Sequence, residues 1–151
     1  MKNLLDAADF LRMTRRKLRF GEYSREPLEL LRLEWKGNAL ECDWLMRPAD
    51  RWDVDLPARV VEENQTLQAL RDALRLRNIV FESFPRVDNA ELRMFRIGAD
   101  NLPELVMSGS VVRTNEIFER VASIAMRARL CGFRFIQGDG CLQRMTPLGC
   151  S

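Results

Sequence analysis

The chain has no histidine among its 151 residues, a single tyrosine and only three lysines. Histidine is the commonest general base, the commonest metal ligand and the usual pH switch in proteins, so its absence argues against several classes of chemistry. A cysteine nucleophile would also lack its usual proton acceptor. We therefore expect a protein that is not an enzyme and that holds no cofactor and no metal ion.

Long apolar runs are missing as well. No stretch approaches the roughly 18 apolar residues of a membrane span. Near the N-terminus, Asp6 and Asp9 interrupt the only apolar segment, which argues against a signal peptide. We expect a cytoplasmic protein without a membrane span, in which cysteines are reduced thiols.

The sequence also lacks the common motifs of catalytic and nucleotide sites. Neither a Gly-x-Gly-x-x-Gly loop, a P-loop nor a Gly-x-Ser-x-Gly elbow occurs. Gly138-Asp139-Gly140 predicts a turn, and Ser108-Gly109-Ser110 predicts a strand bulge. The last three of the four cysteines are spaced too irregularly for a zinc signature, so we expect inert thiols. The cysteines are Cys42, Cys131, Cys141 and Cys150.

The residues that are present suit a globular domain. Hydrophobic residues make up 46% and charged residues 30%, and the net charge is +2. This balance gives no general attraction to nucleic acid or membranes, so any such attraction has to come from local clustering. The basic residues are 21 Arg and 3 Lys. Anion recognition would favour arginine, but a GC-rich, bacterial-like coding sequence explains the same preference.

Periodicity predicts an α+β fold with one domain, in which a largely antiparallel sheet of six or seven strands carries two or three helices, mostly on one face. Residues 1–27 would form an amphipathic helix and a linker, residues 28–146 the core, and residues 147–151 a loose tail. The core divides into two halves, 28–85 and 90–146, each with the order of a ββαβ unit. Whether this repetition is real stays open.

The clearest local prediction is a β-hairpin over residues 28–46. Gly37-Asn38 supplies residues that tolerate positive φ, as two-residue turns require. This register pairs Trp35 with Leu40, Leu33 with Cys42 and Leu31 with Trp44, all on one face. The opposite face then pairs Glu34 with Glu41 and Arg32 with Asp43.

The other elements are predicted from apolar spacing and turn residues. An apolar stripe in the first helix contains Leu4, Ala8, Leu11 and Leu18. Gly132 suits the position just after the end of the last helix. The predicted helices cover residues 3–19, 58–77 and 115–131, and the second helix is shorter if Asn64 is its N-cap. The further strands cover 78–84, 91–97, 104–112, 133–137 and 141–145.

A basic stripe on the first helix is the sharpest candidate site. Arg12, Arg15, Arg16, Lys17 and Arg19 follow one another without an acidic residue between them. Like charges at i,i+4 each cost roughly 0.2–0.5 kcal/mol in an isolated helix, so the stripe needs a counter-charge. Phosphate groups of nucleic acid are one source. The alternative is an ion-pair surface formed with acidic residues of the same chain or of a second copy, with Glu34, Glu41 and Asp43 available.

The loop over residues 48–57 is a second candidate. Trp52, with Arg47 and Arg51 beside it, could contact a ligand or a partner, since tryptophan is enriched at binding hot spots. The loop's three carboxylates could hold Mg²⁺ or Ca²⁺, but aspartates before a helix are more often caps, and we predict no metal here. These carboxylates belong to Asp50, Asp53 and Asp55.

Together these features predict a non-enzymatic, intracellular interaction module that forms a homodimer or binds another protein. Nucleic-acid binding through the helix at residues 12–19 is the alternative. A histidine-free enzyme or a small-ligand carrier that uses carboxylates and arginines is the third hypothesis.

Overall fold

The structure is a computed structural model that describes residues 2–19, 21, 23–24, 26–49, 55–114, 120–138 and 141–145. Its described elements form an α+β fold with three helices and seven strands. In chain order they are α1 (Lys2–Lys17), β1 (Glu29–Lys36), β2 (Ala39–Leu45), α2 (Ala58–Ser83), β3 (Asn89–Ile97), β4 (Pro103–Val112), α3 (Ile124–Leu130), β5 (Phe133–Arg134), β6 (Gln137–Gly138) and β7 (Cys141–Leu142).

The main sheet has five strands in the order β1-β2-β3-β4-β5, and β6 pairs with β7 in a separate two-stranded sheet. Only β2 and β3 run parallel, and the long helix α2 makes the crossover between them. The other three pairings of the main sheet are antiparallel. The mostly antiparallel sheet predicted from the sequence is therefore confirmed.

One face of the sheet forms the core. Inward side chains such as Leu40, Trp44 and Met94 are buried beneath the helices, and α2 packs between α1 and α3. The outward positions of the same strands carry polar residues, including Glu41 and Arg93. This alternation is typical of a sheet with one buried face.

The hairpin forms in the predicted place, with one change of register. Trp35 faces Leu40 and Leu33 faces Cys42, as predicted. A bulge between Leu30 and Arg32 makes Leu30 the partner of Trp44, so the predicted pair of Leu31 with Trp44 is wrong. Leu31 instead lies exposed at the irregularity.

The hairpin turn is type II′ in character. Gly37 has φ +62°, whereas Asn38 has no positive φ. A type II′ turn needs positive φ only at its first central residue, so glycine is required at position 37 and not at position 38.

The buried stripe of α1 differs from the predicted one. Phe10 and Leu18 are fully buried, and Thr14 lies between them on the same face. Leu11, predicted as core, is 40% exposed, and Ala8 is exposed. The Thr14 hydroxyl donates to the Phe10 carbonyl at 2.8 Å, which satisfies this polar group inside the helix interface.

The strand predicted at residues 78–84 is wrong, because α2 continues to Ser83. Ile79 and Val80 are buried at helical spacing after Leu76, so packing overrides the strand propensity of these branched residues. The first half of the chain therefore lacks the final strand of the predicted ββαβ unit.

An arginine from a distant segment closes the end of α2. The Arg113 guanidinium donates to the carbonyls of Phe81, Phe84 and Val87 at 2.8–3.1 Å. It also lies 5.0 Å from the centre of the Phe81 ring. Carbonyls at a helix C-terminus lack partners within the helix, so this contact replaces a local cap.

The second half follows the predicted order but with a shorter helix. The start predicted at residue 115 lies outside the described residues, and α3 begins only at Ile124, where the Ser123 hydroxyl accepts from the Met126 N–H at 3.2 Å. Gly132 has φ +107° just after the helix, as predicted. The predicted tail over residues 147–151 also lies outside the described part.

Gly109 makes room for a ring and does not mark a bulge. It pairs with Leu92 and Phe133, and a Cβ placed on it would lie 2.6 Å from the Phe133 ring. The irregularity of this strand pair lies at Met94 and Phe95.

Among the described residues, none of the helices has the length and apolar character needed to cross a membrane.

Candidate functional site: an arginine groove beside the edge of the sheet

A groove of about 950 Å³ separates the second half of α1 from the beginning of β1. It exists because α1 packs chiefly against α2 and leaves a space beside the edge of the sheet. Its floor and walls combine apolar and basic side chains. The lining residues are Leu11, Arg12, Thr14, Arg15, Arg16, Leu18, Arg19, Pro27, Leu28, Glu29 and Leu30. We call this the arginine groove.

The structure brings four of the five predicted basic residues to this groove: Arg12, Arg15, Arg16 and Arg19. The fifth, Lys17, turns away and pairs with Glu82 of α2 at 3.1 Å. Among the described residues that line the groove, Glu29 is the one acidic residue. The lining therefore carries a large excess of positive charge in a protein whose net charge is only +2.

Within the described part of the chain, few ion pairs involve the arginines of the groove. Arg12 pairs with Asp9 at 2.7 Å, but both side chains are exposed, so the pair is weak. Within the described ranges, Arg15 and Arg16 form no ion pair. They lie in the last turn of α1, where the helix dipole favours cations. Their charge is thus available to a ligand.

The acidic surface of the hairpin does not neutralise the groove. Its acids lie on the open face of the sheet and pair with the arginines of that face. Arg32 contacts Glu34, Glu41 and Asp43, and its pKa is raised chiefly by the hydrogen bond to Glu34. Arg93 donates two hydrogen bonds to Asp43 at 2.8 and 2.9 Å.

Arg47, predicted as a ligand or interface contact, is 3% exposed and belongs to a buried ion pair. Its guanidinium donates to the Asp72 carboxylate at 2.7 and 3.1 Å. It also donates to the Leu18 carbonyl at 2.5 Å and to the Glu26 carbonyl at 3.0 Å. These carbonyls lie at the end of α1 and just before β1, so Arg47 ties together the two walls of the arginine groove.

Asp72 and Gln68 complete this buried network. Gln68 donates to Asp72 at 2.9 Å and accepts from the backbone N–H groups of Tyr23 and Ser24 at 2.7 and 3.2 Å. Burial raises the pKa of Asp72, and the charge and hydrogen bonds of Arg47 oppose that shift. The network fixes the linker between α1 and β1 against α2.

The amide of the Gln68 side chain packs closely against Gly21 of the same linker. A Cβ placed on Gly21 would lie 2.3 Å from Oε1 of Gln68. A side chain at this position would displace the amide that holds Tyr23 and Ser24. The linker therefore needs glycine for space.

The sequence predictions did not include this buried network, although the sequence contains one indication of it. Gln68 and Asp72 are four residues apart on α2 and lie among buried positions. A buried acid requires a partner, and this spacing places both polar groups on one helix face. No local pattern, however, identifies Arg47 as that partner.

The remaining predicted site residues belong to the loop before α2, most of which the structure does not describe. Trp52 and Arg51 lie outside the described residues, as do Asp50 and Asp53. Asp55 is exposed and lies before Pro57, the N-cap residue of α2, which has no side-chain cap hydrogen bond. Over the residues that the structure describes, no group of acids and cysteines has the geometry of a metal site.

Two of the described cysteines, Cys42 and Cys131, have environments that suppress reactivity. Burial raises the pKa of Cys42 to about 12 and also raises the pKa of Cys131. Cys141 lies 3.1 Å from a carboxylate oxygen of Glu62. Cys150 lies outside the described residues. A thiol whose pKa is raised is a poor nucleophile near neutral pH.

No protein-family model matches this chain, and no significant match was found among curated proteins or solved structures. The interpretation of the site therefore depends on its own geometry.

Proposed function

We propose that the protein is a non-enzymatic binding module whose arginine groove takes an acidic segment of another polypeptide. The observation that carries this proposal is the position of four arginines around an apolar floor. Guanidinium groups bind carboxylates through paired hydrogen bonds. Leu11 and Leu28, which are exposed and partly exposed, offer apolar surface to the side chains between those carboxylates.

The apolar lining favours a polypeptide over nucleic acid. Phosphate contacts need basic groups and gain nothing from leucines, whereas an acidic peptide supplies both carboxylates and apolar side chains. The low net charge of the chain also argues against general binding to phosphates. Nucleic-acid binding, the alternative predicted from the sequence, becomes an outcome of the test below.

The test uses labelled ligands of defined chemistry in a fluorescence anisotropy titration. The first is a peptide of about eight residues that alternates Glu and Val, long enough to extend along β1. The second is the same peptide with Lys in place of Glu, and the third is a single-stranded oligonucleotide. We expect the acidic peptide to bind and the basic peptide to fail.

The variants locate the binding. Arg15→Glu/Arg16→Glu reverses two charges in the groove, and Arg134→Glu/Arg144→Glu reverses two exposed charges elsewhere, so both variants have the same net charge. We expect the groove variant to lose at least tenfold in affinity and the control variant to bind like wild type. Glutamate in the last turn of α1 is unfavourable beside the helix dipole and could destabilise the helix. The neutral variant Arg15→Gln/Arg16→Gln avoids this effect, and circular dichroism checks that both variants are folded.

Three results would contradict the proposal. The acidic peptide could fail to bind the wild-type protein at all. Both variants could lose the same affinity, which would show a response to net charge alone. The oligonucleotide could bind while the acidic peptide does not, which would make nucleic acid the ligand of the groove.

A further inference from the structure

The strand beside the arginine groove has an open edge. β1 is the first strand of the sheet order and pairs only with β2 among the described strands. It has eight residues, long enough to pair with another strand along its free side. The groove is lined by Glu29 and Leu30, the first two residues of this strand. A segment bound in the groove would therefore lie alongside the open edge.

The hairpin register shows which backbone groups face that edge. The two-residue turn makes Lys36 and Ala39 a hydrogen-bonded pair, and such pairs alternate along an antiparallel ladder. Glu34 then bonds to β2. Leu33 and Trp35 instead direct their N–H and C=O groups away from β2.

The inner face beside this edge is only partly covered. Leu30, Leu33 and Trp35 pack against the core, yet all three remain partly accessible. Trp35 lies 5.8 Å from the Phe84 ring, measured between ring centres, which holds it in place. An added strand would place alternate side chains over this apolar strip.

The bulge between Leu30 and Arg32 divides the edge in two. Bulges interrupt strand pairing and protect edges from indiscriminate association. Regular pairing is thus confined to the part of β1 that contains Leu33 and Trp35. The part before the bulge faces the arginines of α1.

We propose that the acidic segment binds as an added β-strand on the open edge of β1. The part that pairs with β1 places its apolar residues over Leu33 and Trp35, and the part that continues past the bulge into the groove, outside the regular pairing, places its carboxylates beside Arg15 and Arg19. The proposal rests on the proposed function, since it assumes that the groove takes an acidic polypeptide. We choose an acidic occupant because of charge complementarity: the described lining of the groove has four arginines and one glutamate. The mode of binding is β-strand addition, in which the backbone supplies hydrogen bonds and alternate side chains supply specificity.

The test compares the alternating Glu/Val peptide with two N-methylated versions. One is methylated on the backbone nitrogens of its Glu residues and the other on those of its Val residues, and we call these the two phases. Methylation removes the backbone donors of one strand edge and leaves the charge unchanged. We expect one phase to bind at least tenfold more weakly than the unmodified peptide. The other phase, whose methyl groups point away from β1, should bind almost as well and serves as the matched control.

Amide hydrogen exchange by NMR gives the second readout. The unmodified peptide should slow exchange at Leu33 and Trp35, whereas Glu34, already bonded to β2, should change little. If the unmodified peptide binds but both methylated phases bind equally and Leu33 and Trp35 gain no protection, strand addition is wrong and the groove proposal stands. If the unmodified peptide does not bind, both proposals fail.

Discussion

Among single residues, Arg47 links α2 to the end of α1 and to the segment before β1. Its guanidinium neutralises Asp72 and also holds the carbonyls of Leu18 and Glu26. The two side chains of the ion pair are 1% and 2% exposed. Such a pair can contribute little net stability, yet removing one partner is costly, because the other charge stays buried.

We expect Arg47→Ala to lower the free energy of unfolding by about 3–5 kcal/mol, since Asp72 loses its counter-charge. The paired apolar replacement Arg47→Met/Asp72→Leu should cost clearly less, because it leaves no buried charge. Urea unfolding of both variants measures this difference. A loss of stability in the double variant equal to or above that of Arg47→Ala would contradict the account.

The double variant should also bind acidic peptide more weakly, since the groove walls lose a common support.

Cys42 gives a prediction about chemical reactivity. Its pKa of about 12 lies above the ordinary value of 9.0, so at pH 8 the thiol remains protonated in the folded protein. Because only the thiolate reacts, we expect iodoacetamide to modify Cys141 well before Cys42. Mass spectrometry of peptides after timed labelling measures the order. Equal labelling rates in the folded protein would contradict the burial of Cys42, and urea should remove the protection.

At the scale of elements, the hairpin and the β3–β4 pair could be predicted because their signals are local. Gly37 marks the first turn, and alternation marks the strands. The end of α2 could not be predicted in this way. Asn78 to Phe84 has the composition of a strand, and its helical state depends on distant packing and on Arg113.

We expect Arg113→Met to reduce stability by about 1–3 kcal/mol, because it leaves the carbonyls at the end of α2 without their charged donor. Arg144→Met, at an exposed position, should change stability by no more than about 0.5 kcal/mol. Thermal or urea unfolding of both variants makes the comparison. Equal stability of the two variants would show that Arg113 does not hold the end of α2.

At the scale of the whole molecule, two surfaces differ in their balance of charge. The open face of the sheet balances its own acids and arginines, whereas the groove beside β1 retains an excess of positive charge. The basic stripe itself could be predicted from the sequence. The apolar floor of the groove could not be predicted from the sequence. Leu28 and Leu30 line the same groove as Leu11 only because α1 packs on α2. The homodimer expected from the sequence stays a prediction.

In our proposal the groove, and not the total charge of the protein, recognises an acidic segment. The most direct measurement is the affinity of the Glu/Val peptide for Arg15→Glu/Arg16→Glu and for Arg134→Glu/Arg144→Glu over a range of salt concentrations. We predict that the control variant follows wild type, weakening as salt rises. The groove variant should bind at least tenfold more weakly at low salt and depend little on salt. Identical curves for the two variants would contradict the claim.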